Sequence, residues 1–306
     1  MSDRRPDALH PDEPVVDEPL VRRLLQADAP DLAHLPLAPA PILGTTNWVF
    51  RLGDEHSVRL PRVPYGEEAL AHERRWLGPL AAALDLELPH LVAEGRPTAG
   101  YPFAWSIHGW VPGRAAGDAT ADERRALVPA VAAWLGELAE LDPAGAPEAG
   151  RGRPLPVWDE TLRRCLGELE GAVDAKAALE LWQEALDLGP FAGPPTWLHG
   201  DLLPDNLLLR DGRLAGVIDS AGSGIGDPSG DLLLAWNLFE AEERAAFRAA
   251  LGVDDATWLR GRARAMAQAV IFLPYYAGRH PRGEAQARRA LGHTLGQDRT
   301  ASRPGR

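Results

Sequence analysis

The run WLHGDLLPDNLLLRDGRLAGVIDS, residues 197–220, constrains this chain more than any other part of it. NLLLR (206–210) and RLAGVID (213–219) are apolar runs flanking Asp211-Gly212. An Asp-Gly pair between two such runs is the strongest short-range signal for a β-hairpin, because both turn residues must take positive φ. A two-residue turn sets the register, so Asn206 is predicted opposite Val217. Asp219 follows two residues later on the same face, a diagonal separation of roughly 7–8 Å between backbones. His199 and Asp201 reach the same open end just before the first strand. The predicted site therefore gathers Asp201, Asn206 and Asp219, all oxygen donors. Carboxylate and amide oxygens suit Mg²⁺, which keeps several waters and is commonly shared with phosphates. One imidazole and no thiol make zinc a poor fit. One carboxylate can hold the metal while the other accepts a proton from a hydroxyl.

Composition limits what surrounds this site. The 306 residues are 45% hydrophobic and 25% charged, which excludes disordered and collagenous classes and is enough for a real core. Acidic residues outnumber basic ones 44 to 32, for a net charge of -12, so nucleic acid and anionic lipid are not expected partners. The sole cysteine, Cys165, excludes an intrachain disulfide. No apolar run reaches the ~18 residues of a membrane span and no secretory signal is read, so the expected location is the cytoplasm.

Residues 1–14 read as a flexible tail, and 297–306 as another. Helical spacing appears over 15–28, and 42–62 reads as two strands around Gly53-Asp54-Glu55. An amphipathic helix is predicted over 66–84. Thr120-Ala-Asp-Glu123 is a capping box opening a helix to about Leu141. Residues 142–156 are expected to form an exposed Pro/Gly loop, 158–188 one long helix, and 229–295 further helices. Glu240, Glu242 and Glu243 read as a solvated helix face. A strand-rich N-terminal part and a helix-rich C-terminal part make an α+β protein of two lobes.

HGDLLPDN (199–206) with VIDSAGSGIGDPSGDL (217–232) resembles the aminoglycoside phosphotransferase family, small-molecule kinases with a protein-kinase-like fold. The resemblance spans roughly 20–295 and is strongest at 197–232. It implies a small strand-rich N-lobe over 15–108 that binds the nucleotide phosphates. It further implies a hinge at 109–113 and a helical C-lobe over 114–296 carrying the catalytic loop and the acceptor pocket. By it, Asp201 is the catalytic base and His199 shapes its loop. Asn206 and Asp219 are the Mg²⁺ ligands, and Asp231 supports the loop backbone from below. The resemblance also implies ATP or GTP as co-substrate and a small-molecule hydroxyl acceptor, such as an antibiotic, as partner.

The N-terminal half carries matching parts. Glu73 has Ala69, Leu70, Trp76 and Leu77 as same-face helical neighbours, so it lies within an apolar stripe and needs a partner. The expected partner is Arg59, because the chain's one lysine, Lys176, lies far away in sequence. Arginine forks onto phosphate oxygens, so it can take the place lysine has in kinases. Gly44 to Asn47 stand where the family has its phosphate-covering loop, and IHGWVPG (107–113) where it has its hinge. Two rival readings are a nucleotide-binding module without turnover and a metal-dependent hydrolase using His199, Asp201 and Asp219.

Overall fold

The computed structural model describes residues 8–296. They divide into two compact units. The first runs to Arg114 and adds Ala215–Ala221; the second takes Ala115–Leu214 and the chain from Gly222. A strand-rich unit and a helix-rich unit make the fold α+β.

In the first unit, helix α1 (Glu18–Asp28) begins three residues later than its apolar spacing suggests. Asp17 adopts extended backbone and its carboxylate accepts the Leu20 N–H at 2.8 Å, which sets the start. Strands β1 (Leu37–Pro39), β2 (Asn47–Leu52) and β3 (His56–Pro61) precede helix α2 (Tyr65–Ala83). Strands β4 (Leu91–Gly95) and β5 (Trp105–Gly109) complete an antiparallel sheet of order β1-β2-β3-β5-β4. Strand β1 has only three residues and β4 carries a register shift at Leu91/Ala93, so the sequence does not announce them. Leu25, Leu52, Val58, Leu60, Trp105 and Ile107 form the core. Gly95 admits the Trp105 indole where any Cβ would collide at 1.7 Å.

Residues 8–14 are not a tail. Leu9, His10 and Glu13 are buried. The Glu13 carboxylate meets Arg62 at 3.0 Å with both side chains sealed, and the Arg62 guanidinium lies 3.6 Å over the Trp48 ring. The segment is ordered by burial of a charge pair that its own polar composition conceals. Residues 1–7 and 297–306, the remainder of the two expected tails, lie outside the described residues.

The short strand β6 (Arg114–Ala115) leads to helix α3 (Ala121–Ala139), opened by the Thr120/Glu123 capping box. The single helix expected over 158–188 is two: α4 (Asp159–Glu168) and α5 (Ala175–Asp187). Gly171, at φ +77, breaks the pattern, and the Asp174 carboxylate caps the restart by accepting the Ala177 N–H at 3.0 Å. Strands β7 (Thr196–Leu198), β8 (Leu207–Arg210), β9 (Arg213–Val217) and β10 (Gly224–Gly226) follow, with β7 and β10 antiparallel. Asp211 and Gly212 form the turn before β9 with φ of 52° and 74°, the positive values such a hairpin requires. Helices α6 (Leu234–Leu238), α7 (Ala241–Leu251), α8 (Asp255–Tyr276) and α9 (Pro281–Leu295) finish the second unit. Its core gathers Leu162, Cys165, Trp182, Met266, Val270 and Ala290. No helix among the described residues is long and apolar enough to cross a membrane.

Candidate active site

In the first unit, β3 carries Arg59 and α2 carries Glu73. Arg59 Nη1 donates to Glu73 Oε1 at 2.7 Å, and Nη2 to Asp219 Oδ1 at 3.1 Å. Glu73 is 4% exposed. Burial pushes its carboxyl above the ordinary range, and the Arg59 charge opposes that push. Burial by itself would lower Arg59, yet the two carboxylates outweigh it and hold the guanidinium charged. Asp219 has φ 65, a left-handed conformation that aspartate tolerates better than most residues, and its side chain is 43% exposed.

Asn47, Arg59, Pro61, Gly66, Glu73 and Ser106 line a small cleft in this unit. The loop before β2 is stapled by Arg62: its Nε donates to the Gly44 carbonyl at 3.0 Å, and its backbone N–H to the Thr46 carbonyl at 2.8 Å. A Cβ at Gly44 would sit 2.6 Å from the Asn47 carbonyl oxygen, so the turn needs glycine there. Asn47 joins the cleft of Arg59 and Glu73; Gly44 shapes the loop and is not among the cleft's lining residues. On β5, His108 is 1% exposed, and neither ring nitrogen has a hydrogen-bond partner among the described residues. Burial, with the charge of Arg59 and with His90, pushes it down to about 3.

In the second unit the chain leaves β7 into His199–Asn206. Asp231, 1% exposed, accepts the His199 N–H at 2.7 Å and the Gly200 N–H at 2.9 Å. Burial raises the Asp231 carboxyl; His199, the two N–H groups and Arg151 counter it. Gly200 turns at φ +75, and a Cβ there would lie 2.0 Å from the Gly222 carbonyl oxygen. The Asp201 N–H donates to His199 Nδ1 at 3.3 Å, and the His199 ring stands edge-on to Trp134 at 6.2 Å between centroids. Asn206 Nδ2 donates to the Asp201 carbonyl at 2.8 Å. The loop is thus tied at both ends around the Asp201 side chain, which forms an ion pair with Arg151.

Of the sequence-predicted residues, Arg59, Glu73, Asn47 and Asp219 fall in the first unit, and His199, Asp201, Asn206 and Asp231 in the second. Sequence reasoning missed Arg151, which comes from the stretch expected to be an exposed loop. It also missed Arg282, whose guanidinium pairs with Asp205 at 2.6 Å and Asp118 at 2.8 Å beside Asn206. No local signal marks either arginine. The expected solvated face at Glu240, Glu242 and Glu243 is corrected in part. Glu243 is buried and pairs with Arg124 at 3.2 Å, and as the third residue of α7 it accepts the Glu240 N–H at 2.8 Å in a capping box.

Residues 40–266 match the profile of the phosphotransferase enzyme family. An aminoglycoside 3′-phosphotransferase of Escherichia coli is 39% identical over 66 residues, 22% of this chain and 24% of that protein. One of Salmonella typhimurium is 40% identical over 58 residues, 19% of this chain and 21% of that protein. The matched segment thus spans about a quarter of these curated relatives. Among solved structures, the GDP and kanamycin complex of APH(2″)-IIia superposes with a TM-score of 0.74 at 18% identity, covering 91% of this chain and 99% of that one. A macrolide 2′-phosphotransferase from Brachybacterium faecium gives 0.61 at 22% identity, covering 95% and 100%. At these identities the likeness is one of fold.

Proposed function

The chain belongs to the phosphotransferase enzyme family, and on that premise we propose that it transfers the γ-phosphoryl group of ATP or GTP to a hydroxyl of a small molecule. The observation that carries this reading is the loop His199–Asn206, pinned through its backbone by buried Asp231 around the Asp201 carboxylate. In the proposed mechanism Asp201 accepts the hydrogen bond of the acceptor hydroxyl, orients its oxygen for attack and takes its proton. Arg59, charged and steadied by Glu73, neutralises the phosphates, and Asn47 in the same cleft supports them. His199 and Asp231 hold the loop so that little reorganisation is needed at the moment of transfer.

Mg²⁺ fits this donor set. Asn206 spends its amide N–H on the loop, which leaves the amide oxygen as its donor to a metal, and the Asp219 carboxylate is partly exposed. Among the described residues no group of three His, Cys, Asp or Glu side chains could hold a metal. Oxygen donors of these two kinds suit magnesium, which Asn206 and Asp219 would hold and which commonly also binds nucleotide phosphates and water. Mg²⁺ would neutralise charge developing on the phosphates. The co-substrate makes the cytoplasm the proposed site of action.

The experiment incubates the protein with Mg²⁺, ATP or GTP, and kanamycin, gentamicin, streptomycin or a macrolide, and seeks by mass spectrometry an acceptor heavier by one phosphoryl group. Asp201→Ala is expected to cut transfer by about 10²–10⁴-fold while leaving nucleotide binding intact. Undiminished transfer in that variant overturns the role given to Asp201. Nucleotide binding with no phosphorylated acceptor across a widened panel favours a non-catalytic module.

A further inference from the structure

The Pro/Gly stretch 142–156 is held in the second unit by specific backbone bonds. Ile225 N–H donates to the Pro147 carbonyl at 2.8 Å, Ala149 N–H to the Ile225 carbonyl at 2.9 Å, and Asp227 N–H to the Gly152 carbonyl at 3.0 Å. Trp197 Nε1 donates to the Asp142 carbonyl at 2.9 Å. The bed for this segment is the run of glycines after Asp219. A Cβ at Gly224 would lie 2.5 Å from the Pro147 oxygen, one at Gly226 2.7 Å from Gly152 Cα, and one at Gly230 2.8 Å from the Arg151 oxygen. Contacts that close to backbone cannot be relieved by a rotamer change, so each glycine keeps room for the passing chain. These glycines carry no chemistry in the proposed reaction. Their common effect is to fix the backbone of residues 147–152, and with it the root of the Arg151 side chain.

From that root Arg151 Nη1 reaches Asp201 Oδ1, and both atoms are sealed from solvent. Asp231, which pins the loop from the other side, also feels the Arg151 charge. We propose that Arg151 is a positioning residue, holding the Asp201 carboxylate in the orientation from which it receives the acceptor hydroxyl. The inference rests on the reading that Asp201 orients that hydroxyl. A carboxylate offers about four lone-pair sites on its two oxygens, so one occupied by a fixed guanidinium still leaves others for a hydroxyl. The arrangement differs from a surface ion pair: Arg151 sits on a backbone anchored at several points, and its partner lies on a loop anchored by Asp231 and Asn206.

A double-mutant cycle tests this, with transfer from Mg·ATP and Mg·GTP measured to water and to the acceptor panel above. Thermal unfolding first verifies that each variant is folded; Arg151→Lys, which keeps the charge, serves where Arg151→Ala is not. Arg151→Ala is expected to lower kcat by about 10–100-fold, as displacement of a reacting group by about 1 Å does, with nucleotide KM changed less than about twofold. Arg151→Lys is expected to recover about tenfold of that loss. In an Asp201→Asn background, Arg151→Ala is expected to change the rate by less than about twofold, because its effect passes through the lost carboxylate. Equal losses in both backgrounds, or a loss seen in KM alone, overturn the inference and leave the reading of Asp201 standing. An Asp201→Asn variant as active as the parent, or a parent that transfers to neither water nor the panel, overturns that reading itself.

Discussion

Glu73 in the first unit and Asp231 in the second are both buried carboxylates whose affinity for protons is raised first by burial, yet they are satisfied in opposite ways. Glu73 faces a side chain, Arg59. Asp231 faces two backbone N–H groups, of His199 and Gly200. A side-chain partner can be removed, or drawn toward a ligand, by one change. A backbone partner cannot. The first arrangement suits a cation proposed to meet arriving phosphates, the second a loop proposed to keep its shape. His108 offers a third case, a buried titratable side chain with no hydrogen-bond partner among the described residues, held neutral by burial.

Three measurements would break or sharpen this contrast. The largest effect is expected for Arg59→Met, which strands Glu73 as a buried charge. It should cost about 3–5 kcal/mol in denaturant unfolding, and Arg59→Met with Glu73→Leu should recover most of it. A double variant no more stable than the single would show that the pair is not what holds Glu73. Next is Asp231→Asn, which keeps one acceptor oxygen and leaves one of the two loop N–H groups without a partner. It should cost about 1–3 kcal/mol. The raised carboxyl of Asp231 also gives the pH sign. Its contribution is fully present below the unfolded value of 3.8 and is lost as pH rises through the higher folded value. The stability cost of Asp231→Asn should therefore shrink as pH rises from 3.8 through the higher folded value and level off above it, and a cost that grows across that window would contradict the burial argument.

Near neutral pH the smallest effect is expected for His108→Leu, whose influence appears only in acid. The folded protein does not protonate His108 until about 3, whereas the unfolded chain does so at 6.5. The unfolded state therefore binds the extra proton between these values, and stability falls as pH falls across that window. Removing the imidazole should flatten the fall by up to about 1.4 kcal/mol per pH unit and leave stability above pH 7 little changed. Parallel stability curves for the two proteins would mean that His108 finds a partner in solution.

Several parts of this molecule were legible because they are local. The hairpin turn at Asp211-Gly212, the capping box at Thr120 and the burial of Glu73 between Leu70 and Leu77 each follow from spacing within a few residues. The pairing of Arg59 with Glu73 was within reach because strand and helix are consecutive and lysine is absent there. Other parts were opaque. Residues 8–14 look like a tail until Arg62 supplies the partner of Glu13, and 142–156 looks like solvent-facing loop until the glycines at 224, 226 and 230 are seen to carry it.

By itself, then, the sequence determined the α+β class, the loop with Asp201 and Asn206, and the backbone turns that shape it, since turns, caps and amphipathic stripes depend on steric and hydrogen-bonding rules that act over one to four residues. Tertiary structure alone decided which charge meets which. With 44 acidic and 32 basic residues, composition permits a great many pairings. Only the folded chain selects Arg151 for Asp201 and Arg282 for Asp118 and Asp205. The reason is that an ion pair gains energy only where packing has already removed water and fixed both partners, and that condition belongs to the fold as a whole.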